Sequence, residues 1–418
     1  MTSTKRARLD GQDNHHAPPG SQLTPQIKCL RFLDEENAVV LPTGIGRISA
    51  ISTCAESYSF LETNTPSNED NVRSRDILAC IAVGTDAGCI ALIHSDGTQT
   101  SLEESGGPAI QRLLVAKPAT QSVGPDCTIP DVVAGDSEGG VSVFTMGRMV
   151  SRNTLSAPVS AMAANINPNT MRSYIIGDTS GVVSSCHTQG VLWRSQIYAT
   201  ENSSADGGVR LVQSTGKKPE PTSISSVCAV QFADYHGIAT NYVLAASGAR
   251  QIQLLSRDHL VLTLSIPAPC NHMCRGRFVI SEPSAANNSA VGTKGNAWQV
   301  LLGDDAGWLH VLDRFKTTPY VQVDYPVTSI FSIPLRAFSD RDGPDVVVCA
   351  TRSNVVYIIH DRKIVAQYTA DFWPAAVSVL YSDSSVEQPA LVLAENKGAA
   401  ARNTTGILHC IYMDFVFE

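Results

Sequence analysis

One short pattern recurs along the chain: an apolar run, a small residue, a polar turn and then an alternating segment. The clearest copies are IAVGTDAGCIALIH from Ile81, VVAGDSEGGVSVF from Val132, YIIGDTSGVVSSCH from Tyr174 and VLLGDDAGWLHVLD from Val300. Three weaker copies begin at Val243, Val346 and Leu391. Aligned on the small residue, the seven copies fall at Gly84, Gly135, Gly177, Ala246, Gly303, Ala350 and Ala394.

The spacing of the copies predicts the architecture. Two intervals are long because of polar, Gly- and Ser-rich stretches at about 201–221 and 281–296, which we interpret as loop insertions. Without them the unit is about 45 residues long, which is the size of one blade of a β-propeller. A helical reading fails because no segment keeps apolar spacings of three and four. A two-sheet sandwich could hold as many strands, but it would not explain why the same hairpin recurs about every 45 residues.

Each copy has the chemistry of a β-hairpin. The continuous apolar run suits a strand covered on both faces, and the small residue permits close approach of another backbone. Aspartate can accept hydrogen bonds from amides two positions on, and glycine can adopt the positive φ of a tight turn. The predicted repeat-turn residues are Gly84, Asp86, Gly88, Gly135, Asp136, Gly139, Gly177, Asp178, Gly181, Gly303, Asp304 and Gly307.

The predicted fold is therefore all-β: a single-domain, seven-bladed β-propeller of FG-GAP or WD-like type over residues 25–418. The segment from Gln26 to Phe32 (QIKCLRF) looks like a strand without a hairpin partner, and we expect it to pair with the last blade and close the ring. Residues 1–24 are polar and read as a disordered tail.

Charge and composition exclude several classes of function. The formal net charge of -8 and the pI of about 5.7 argue against nucleic-acid binding. The sequence has no apolar secretory segment and no apolar run of membrane-spanning length, so we expect a cytoplasmic protein without direct membrane insertion. Its 11 cysteines are scattered through strand-like segments, which suits reduced thiols.

The chain carries no familiar catalytic or cofactor motif, and we predict neither a catalytic residue nor a cofactor. GDSEGG at Gly135 resembles the nucleophile loop of serine proteases, but its recurrence at Gly177 and Gly303 marks it as the repeat turn. Cys270, His272 and Cys274 could offer soft ligands, yet their spacing fits no common zinc site.

An acidic loop, SDRDGPD, precedes the apolar run at Val346. Its residues Asp340, Asp342 and Asp345 have the alternate spacing of a calcium loop, but Phe338 occupies the first ligand position and the last aspartate comes one residue early. We interpret the loop as a degenerate relic and predict no metal. A calcium-dependent adhesion propeller and a propeller enzyme remain alternatives of other classes.

Tryptophans are the natural candidates for interface anchors. Trp193, Trp308 and Trp373 lie on or beside predicted strands, and packing between blades is the expectation for each of them. Aromatic residues are enriched in binding hot spots, so one of the three in an interface stays open as an alternative.

The copies resemble FG-GAP-type propellers, and the chain is similar to the integrin-alpha FG-GAP repeat-containing protein 2 family. The similarity is carried by DVVVCATRSNVVYIIHDRKIVAQY (345–368), PDVVAGDSEGGVSVF (130–144) and IIGDTSG from Ile175. Members of that family belong to KICSTOR, which recruits GATOR and restrains TOR complex 1. The resemblance implies a non-catalytic scaffold with other protein subunits, KICSTOR-like and GATOR-like, as partners and recruitment to the lysosomal or vacuolar surface.

A second resemblance gives an alternative function. The propellers of Bardet-Biedl syndrome proteins carry similar strand, GDxxG, strand units and serve in the BBSome, a ciliary trafficking coat. Those proteins usually continue into further domains, whereas this sequence stops at Glu418, soon after its seventh copy. That difference favours the KICSTOR-like reading.

Overall fold

The computed structural model describes most of the chain outside its N-terminal part and several connections. The described residues are 27–33, 38–42, 45–53, 80–94, 98–102, 106–116, 130–165, 173–198, 221–233, 238–279, 298–335, 343–381, 389–398 and 405–417. The predicted tail and both predicted insertions lie outside them, except for Pro221, which forms an isolated bridge with Tyr198. No helix in the described ranges is long and apolar enough to cross a membrane.

The described residues form seven antiparallel sheets, so the predicted all-β, seven-bladed propeller is confirmed. The strands of each blade are given from the innermost outward. Blade 1 consists of β3 (Ile48–Thr53), β4 (Cys80–Thr85), β5 (Ile90–His94) and β6 (Gln99–Ser101), and blade 2 of β7 (Ile110–Ala116), β8 (Asp131–Asp136), β9 (Gly140–Thr145) and β10 (Arg148–Thr154). Blade 3 consists of β11 (Val159–Ala164), β12 (Ser173–Asp178), β13 (Val182–His187) and β14 (Gly190–Gln196), and blade 4 of β15 (Ile224–Ala233), β16 (Ala239–Ser247), β17 (Gln251–Ser256) and β18 (His259–Ser265).

Blades 5 to 7 complete the ring. Blade 5 consists of β19 (Cys270–Gly276), β20 (Gln299–Asp304), β21 (Trp308–Asp313) and β22 (Lys316–Gln322). Blade 6 consists of β23 (Val327–Ile333), β24 (Val346–Thr351), β25 (Val355–His360) and β26 (Lys363–Thr369). Blade 7 consists of β27 (Ala376–Leu380), β28 (Ala390–Lys397), β29 (Thr405–Phe417) and β1 (Ile27–Leu33). A short strand, β2 (Ala38–Val40), also pairs with β29.

Blade 7 joins the two ends of the described chain. Its outermost strand β1 comes from the N-terminal side and pairs antiparallel with β29, with Leu30 opposite Phe415. This confirms the predicted pairing of the first strand with the last blade. The seam to blade 1 is also hydrogen-bonded, since the amide of Ile48 donates to Asn396 Oδ1 at 2.8 Å and the hydroxyl of Thr53 donates to the carbonyl of Val379 at 2.6 Å.

The apolar core is divided among the blades. Within the described part of the chain, seven buried clusters each combine residues of two neighbouring blades, for example the cluster of Leu114, Val141 and Tyr174 between blades 2 and 3. The second strand of a blade faces a cluster on each side. Strands β4, β8, β20 and β24 are accordingly buried at every residue, which explains their unbroken apolar runs.

In the four repeats whose small residue is glycine, that glycine lies against a side chain of the next blade and not against a backbone as expected from the sequence. A Cβ added to Gly135 would lie 2.6 Å from Val159 Cγ1, and one added to Gly303 would lie 2.5 Å from Val327 Cγ1. Glycine in one blade therefore makes room for the β-branched residue that begins the innermost strand of the next.

Candidate functional site

The repeat turns and the connections between blades lie at the same end of the propeller. This end, here called the turn face, comprises turns 85–88, 136–139, 178–181 and 304–307 and connections 155–158, 323–326 and 370–375. Backbone hydrogen bonds join the two sets: the amide of Leu155 donates to the carbonyl of Gly139 at 2.8 Å, and the amide of Val323 donates to the carbonyl of Gly307 at 2.9 Å. Main-chain hydrogen bonds therefore hold the turns and connections of the turn face together.

Three of the repeat turns have the same geometry. Asp136 Oδ1 accepts hydrogen bonds from the amides of Glu138 and Gly140 at 2.9 and 2.7 Å, and Asp178 and Asp304 make the equivalent pairs. The glycines that follow, Gly139, Gly181 and Gly307, have φ between 80° and 86°. The three aspartates therefore stabilise the backbone of their own turns through hydrogen bonds accepted by Oδ1.

Blade 1 departs from this pattern by one residue. Thr85 takes the position of the turn aspartate, and its hydroxyl accepts a hydrogen bond from the amide of Cys89 at 3.2 Å. Asp86 instead accepts a hydrogen bond from the amide of Arg47 at 2.7 Å, in the connection from blade 7 to blade 1. The sequence predicts Asp86 as a repeat-turn residue, but GTDAG contains both a threonine and an aspartate, and either side chain can accept the turn amide.

Two exposed aromatic residues stand on the turn face between blades 5 and 7. Tyr325 is 43% exposed and Trp373 is 71% exposed, so the expectation that Trp373 packs between blades is wrong. Trp193 does pack against the cluster between blades 3 and 4, and Trp308 is partly buried beside His310. Tyr325 and Trp373, with their neighbours Asp324 and Asp371, are here called the aromatic rim.

The backbone that carries Trp373 is held on both sides. The amide of Ala370 donates to the carbonyl of Asn354 at 2.9 Å, and the amide of Ala375 donates to the carbonyl of Ala394 at 2.8 Å. The ring of Phe372, next to Trp373, lies 4.6 Å from the ring of His409. The indole is thus presented to solvent from a fixed loop, which sequence reasoning missed because nothing in FWP distinguishes an exposed from a packed tryptophan.

The innermost strands enclose a central cavity of about 400 Å³. The innermost-strand residue opposite each small repeat residue lies at the same register position in all seven blades. These residues, here called the channel ring, are Ala50, Arg112, Ala161, Ser226, His272, Ser329 and Ala376. All seven line the cavity. Arg112 and His272 are the large members of the ring.

Bulges on the innermost strands bring polar side chains to the next blade. Ser49 and Ser225 occupy bulge positions, and their hydroxyls donate to the carbonyls of Ile110 and Cys270 at 2.7 and 2.6 Å. Asn271 repeats this contact, donating from Nδ2 to the carbonyl of Val327 at 3.0 Å. The register shift turns these side chains toward the neighbouring blade, and the sequence alone does not reveal it.

The three soft-ligand candidates lie along β19. Burial raises the pKa of Cys270 to about 12, and its Sγ donates to the carbonyl of His272 at 3.4 Å. His272 Nδ1 accepts a hydrogen bond from the amide of Ile330 at 3.2 Å, and Cys274 is partly buried. In the described ranges, no three His, Cys, Asp or Glu side chains come together as a metal site.

Of the three aspartates of the acidic loop, only Asp345 belongs to the described residues. Its Oδ2 accepts hydrogen bonds from the amide of Arg277 at 2.8 Å and from the hydroxyl of Ser332 at 2.7 Å. The carboxylate therefore ties blade 5 to blade 6. Asp340 and Asp342 lie outside the described residues.

The architecture defines a seven-bladed β-propeller, and solved structures agree with the fold. A crystal structure of BBS1N in complex with ARL6DN, soaked with lead, superposes with a TM-score of 0.54 at 7% identity, covering 92% of this chain and 96% of that one. The WD40 propeller domain of Doa1 gives a TM-score of 0.53 at 10% identity, covering 92% and 97%. No protein-family model and no curated protein matches the chain.

Proposed function

We propose that this propeller is a non-catalytic subunit of a multiprotein complex and that it binds a partner protein through the aromatic rim. The observation that carries the proposal is the 71% exposure of Trp373 on a loop fixed by both neighbouring blades. Tryptophan and tyrosine dominate binding hot spots, and an anchor that is already ordered loses little conformational entropy on binding.

The charges around the rim indicate the chemistry of the partner. Asp305, Asp324 and Asp371 are exposed on the turn face of blades 5 to 7, together with the basic residues Arg352 and Lys397. This acidic excess would attract a basic surface and steer its approach. We therefore expect the partner to present an apolar pocket for the indole, flanked by lysine or arginine.

The particular complex proposed is KICSTOR-like, with a role in amino-acid-dependent restraint of TOR complex 1 at the lysosomal or vacuolar surface. This refinement rests only on the resemblance of residues 345–368 and 130–144 to the FG-GAP repeat-containing family. Residues 345–368 form most of blade 6, which carries part of the turn face beside the rim. The complex of the BBS1N propeller with ARL6DN supports protein binding by this fold in general.

Affinity purification from the native cell tests the proposal. The full chain is tagged and compared with a Trp373→Ala, Tyr325→Ala double variant. The matched control is Leu192→Ala, because Leu192 is 61% exposed but lies on the outermost strand of blade 3, away from the rim. Co-purifying proteins are identified by mass spectrometry, and TOR complex 1 activity is followed during amino-acid withdrawal.

We expect KICSTOR-like and GATOR-like subunits with the wild type and the control, and their loss with the double variant. Recovery of BBSome subunits instead would transfer the proposal to a ciliary coat while keeping the rim. Equal recovery of partners with all three chains would refute the rim as the binding surface. A thermal melt of each purified chain separates loss of binding from loss of folding.

A further inference from the structure

The central cavity is lined by cationic and neutral groups. Its lining includes Arg112, His272 and Arg275 together with hydroxyl and amide side chains, but no aspartate or glutamate of the described residues. Arg275 is held in place, since its guanidinium lies 4.6 Å from the ring of Trp298 and within the field of Asp345. Arg112 is the other arginine of the lining.

Arg112 has an unusual environment for an arginine. Its Nη1 donates to the carbonyl of Gln111 at 2.7 Å, and no described carboxylate pairs with it. The surrounding protein lowers its pKa by desolvation, although the side chain is accessible from the cavity. A guanidinium has five N–H donors in a planar fork, so most of its donors are available to a ligand.

His272 lies in the same ring, and besides burial the charge of Arg112 contributes to the shift of its pKa. Burial, and secondarily the charge of Arg112, lower its pKa to about 4. Its Nδ1 accepts the amide of Ile330, which leaves Nε2 as the protonated, donating nitrogen of the neutral ring. The other five ring positions carry Ala50, Ala161, Ser226, Ser329 and Ala376, whose small side chains leave space beside the two donors.

We propose that the channel ring binds a small oxyanion, a phosphate or carboxylate group of a soluble compound, between Arg112 and His272. A bidentate guanidinium–oxyanion pair is the contact that arginine favours. The cavity of about 400 Å³ has the size of a small-molecule site, so the group belongs to a compound larger than the free ion.

Inorganic phosphate and citrate are the probes for the two oxyanion classes. Both are titrated into the purified full chain, with chloride held constant, and the thermal midpoint and the calorimetric heat of binding are recorded. Arg112→Gln removes the charge at the site. The matched control is Arg314→Gln, because Arg314 is an exposed arginine in the turn between β21 and β22.

At least one of the two anions should raise the midpoint of the wild type and of the control in a saturable way. The Arg112→Gln chain should bind that anion at least tenfold more weakly while its own midpoint, without anion, stays the same or rises. Absence of a saturable effect for both anions, or an unchanged affinity in Arg112→Gln, would overturn the proposal. The rim variants should bind the anion normally, which keeps this test independent of the proposed function.

Discussion

Substituting Gly135 by alanine tests how neighbouring blades fit together. The new Cβ would lie 2.6, 2.8 and 2.9 Å from three side-chain atoms of Val159. Val159 is 2% exposed and stiff at χ1, so it cannot turn away cheaply. Overpacking a core costs about 1–3 kcal/mol, and the three short contacts place Gly135→Ala at about 2–3 kcal/mol. The φ of Gly135 is not in the left-handed region, so the expected cost is steric.

Two further variants isolate this contact. Val159→Ala alone should cost about 2 kcal/mol because two buried methyl groups are lost and a small cavity remains. In the double variant the alanine at 135 enters the space left by Val159, so the combined cost should be at least about 1 kcal/mol smaller than the sum. Gly248→Ala is the control, since a Cβ there would meet nothing within 4 Å.

The assay is equilibrium unfolding in urea, followed by far-ultraviolet circular dichroism and by tryptophan fluorescence. Changes in midpoint at constant slope are converted to free energies of unfolding. A Gly135→Ala chain as stable as Gly248→Ala would refute the packing argument. Strict additivity in the double variant would show that the two residues do not compete for the same space.

Three further predictions concern single side chains. Asp178→Ala should lower the free energy of unfolding by about 2–3 kcal/mol in urea titrations, because a buried acceptor of four hydrogen bonds is lost, whereas Asp86→Ala should cost less than about 1 kcal/mol. Arg112→Gln should raise the pKa of His272 above its value of about 4 in an NMR titration, because a like charge is removed. In the wild type, the lowered pKa of this buried imidazole makes the free energy of unfolding fall as the pH drops from about 6.5 toward 4. Cys349, whose pKa is raised by burial, should resist iodoacetamide at pH 8 until the chain is unfolded, as read by mass spectrometry.

The sequence predicts the blades well because one physical requirement is repeated seven times. A strand covered on both faces needs an unbroken apolar run, and a tight turn after it needs an acceptor and a residue with positive φ. Both requirements are visible in letters such as VVAGDSEGG around Gly135. Asp86 lies in turn 85–88, but GTDAG offers two acceptors, and only the fold decides that Thr85 accepts the turn amide while Asp86 accepts the amide of Arg47.

The surfaces used for binding were less predictable, since they depend on where a side chain points after the ring closes. Trp373 and Trp308 both stand in or beside strands, yet one is 71% exposed and the other is partly buried. Arg112 drew no attention in the sequence because its partners in the channel ring lie one blade or more away. Register, set by the bulge at Gln111, brings it into the ring.

The channel ring contains two residues that the requirements of folding alone do not explain. Five blades place alanine or serine opposite the small repeat residue, so a small side chain satisfies the fold at this position. Arg112 and His272 break that rule on blades 2 and 5, and desolvation opposes the charged form of each. Residues that break a local rule at an energetic cost tend to mark function. An oxyanion between them would offset that cost, so Arg112→Gln should leave the empty propeller at least as stable as before and weaken only the binding of the anion.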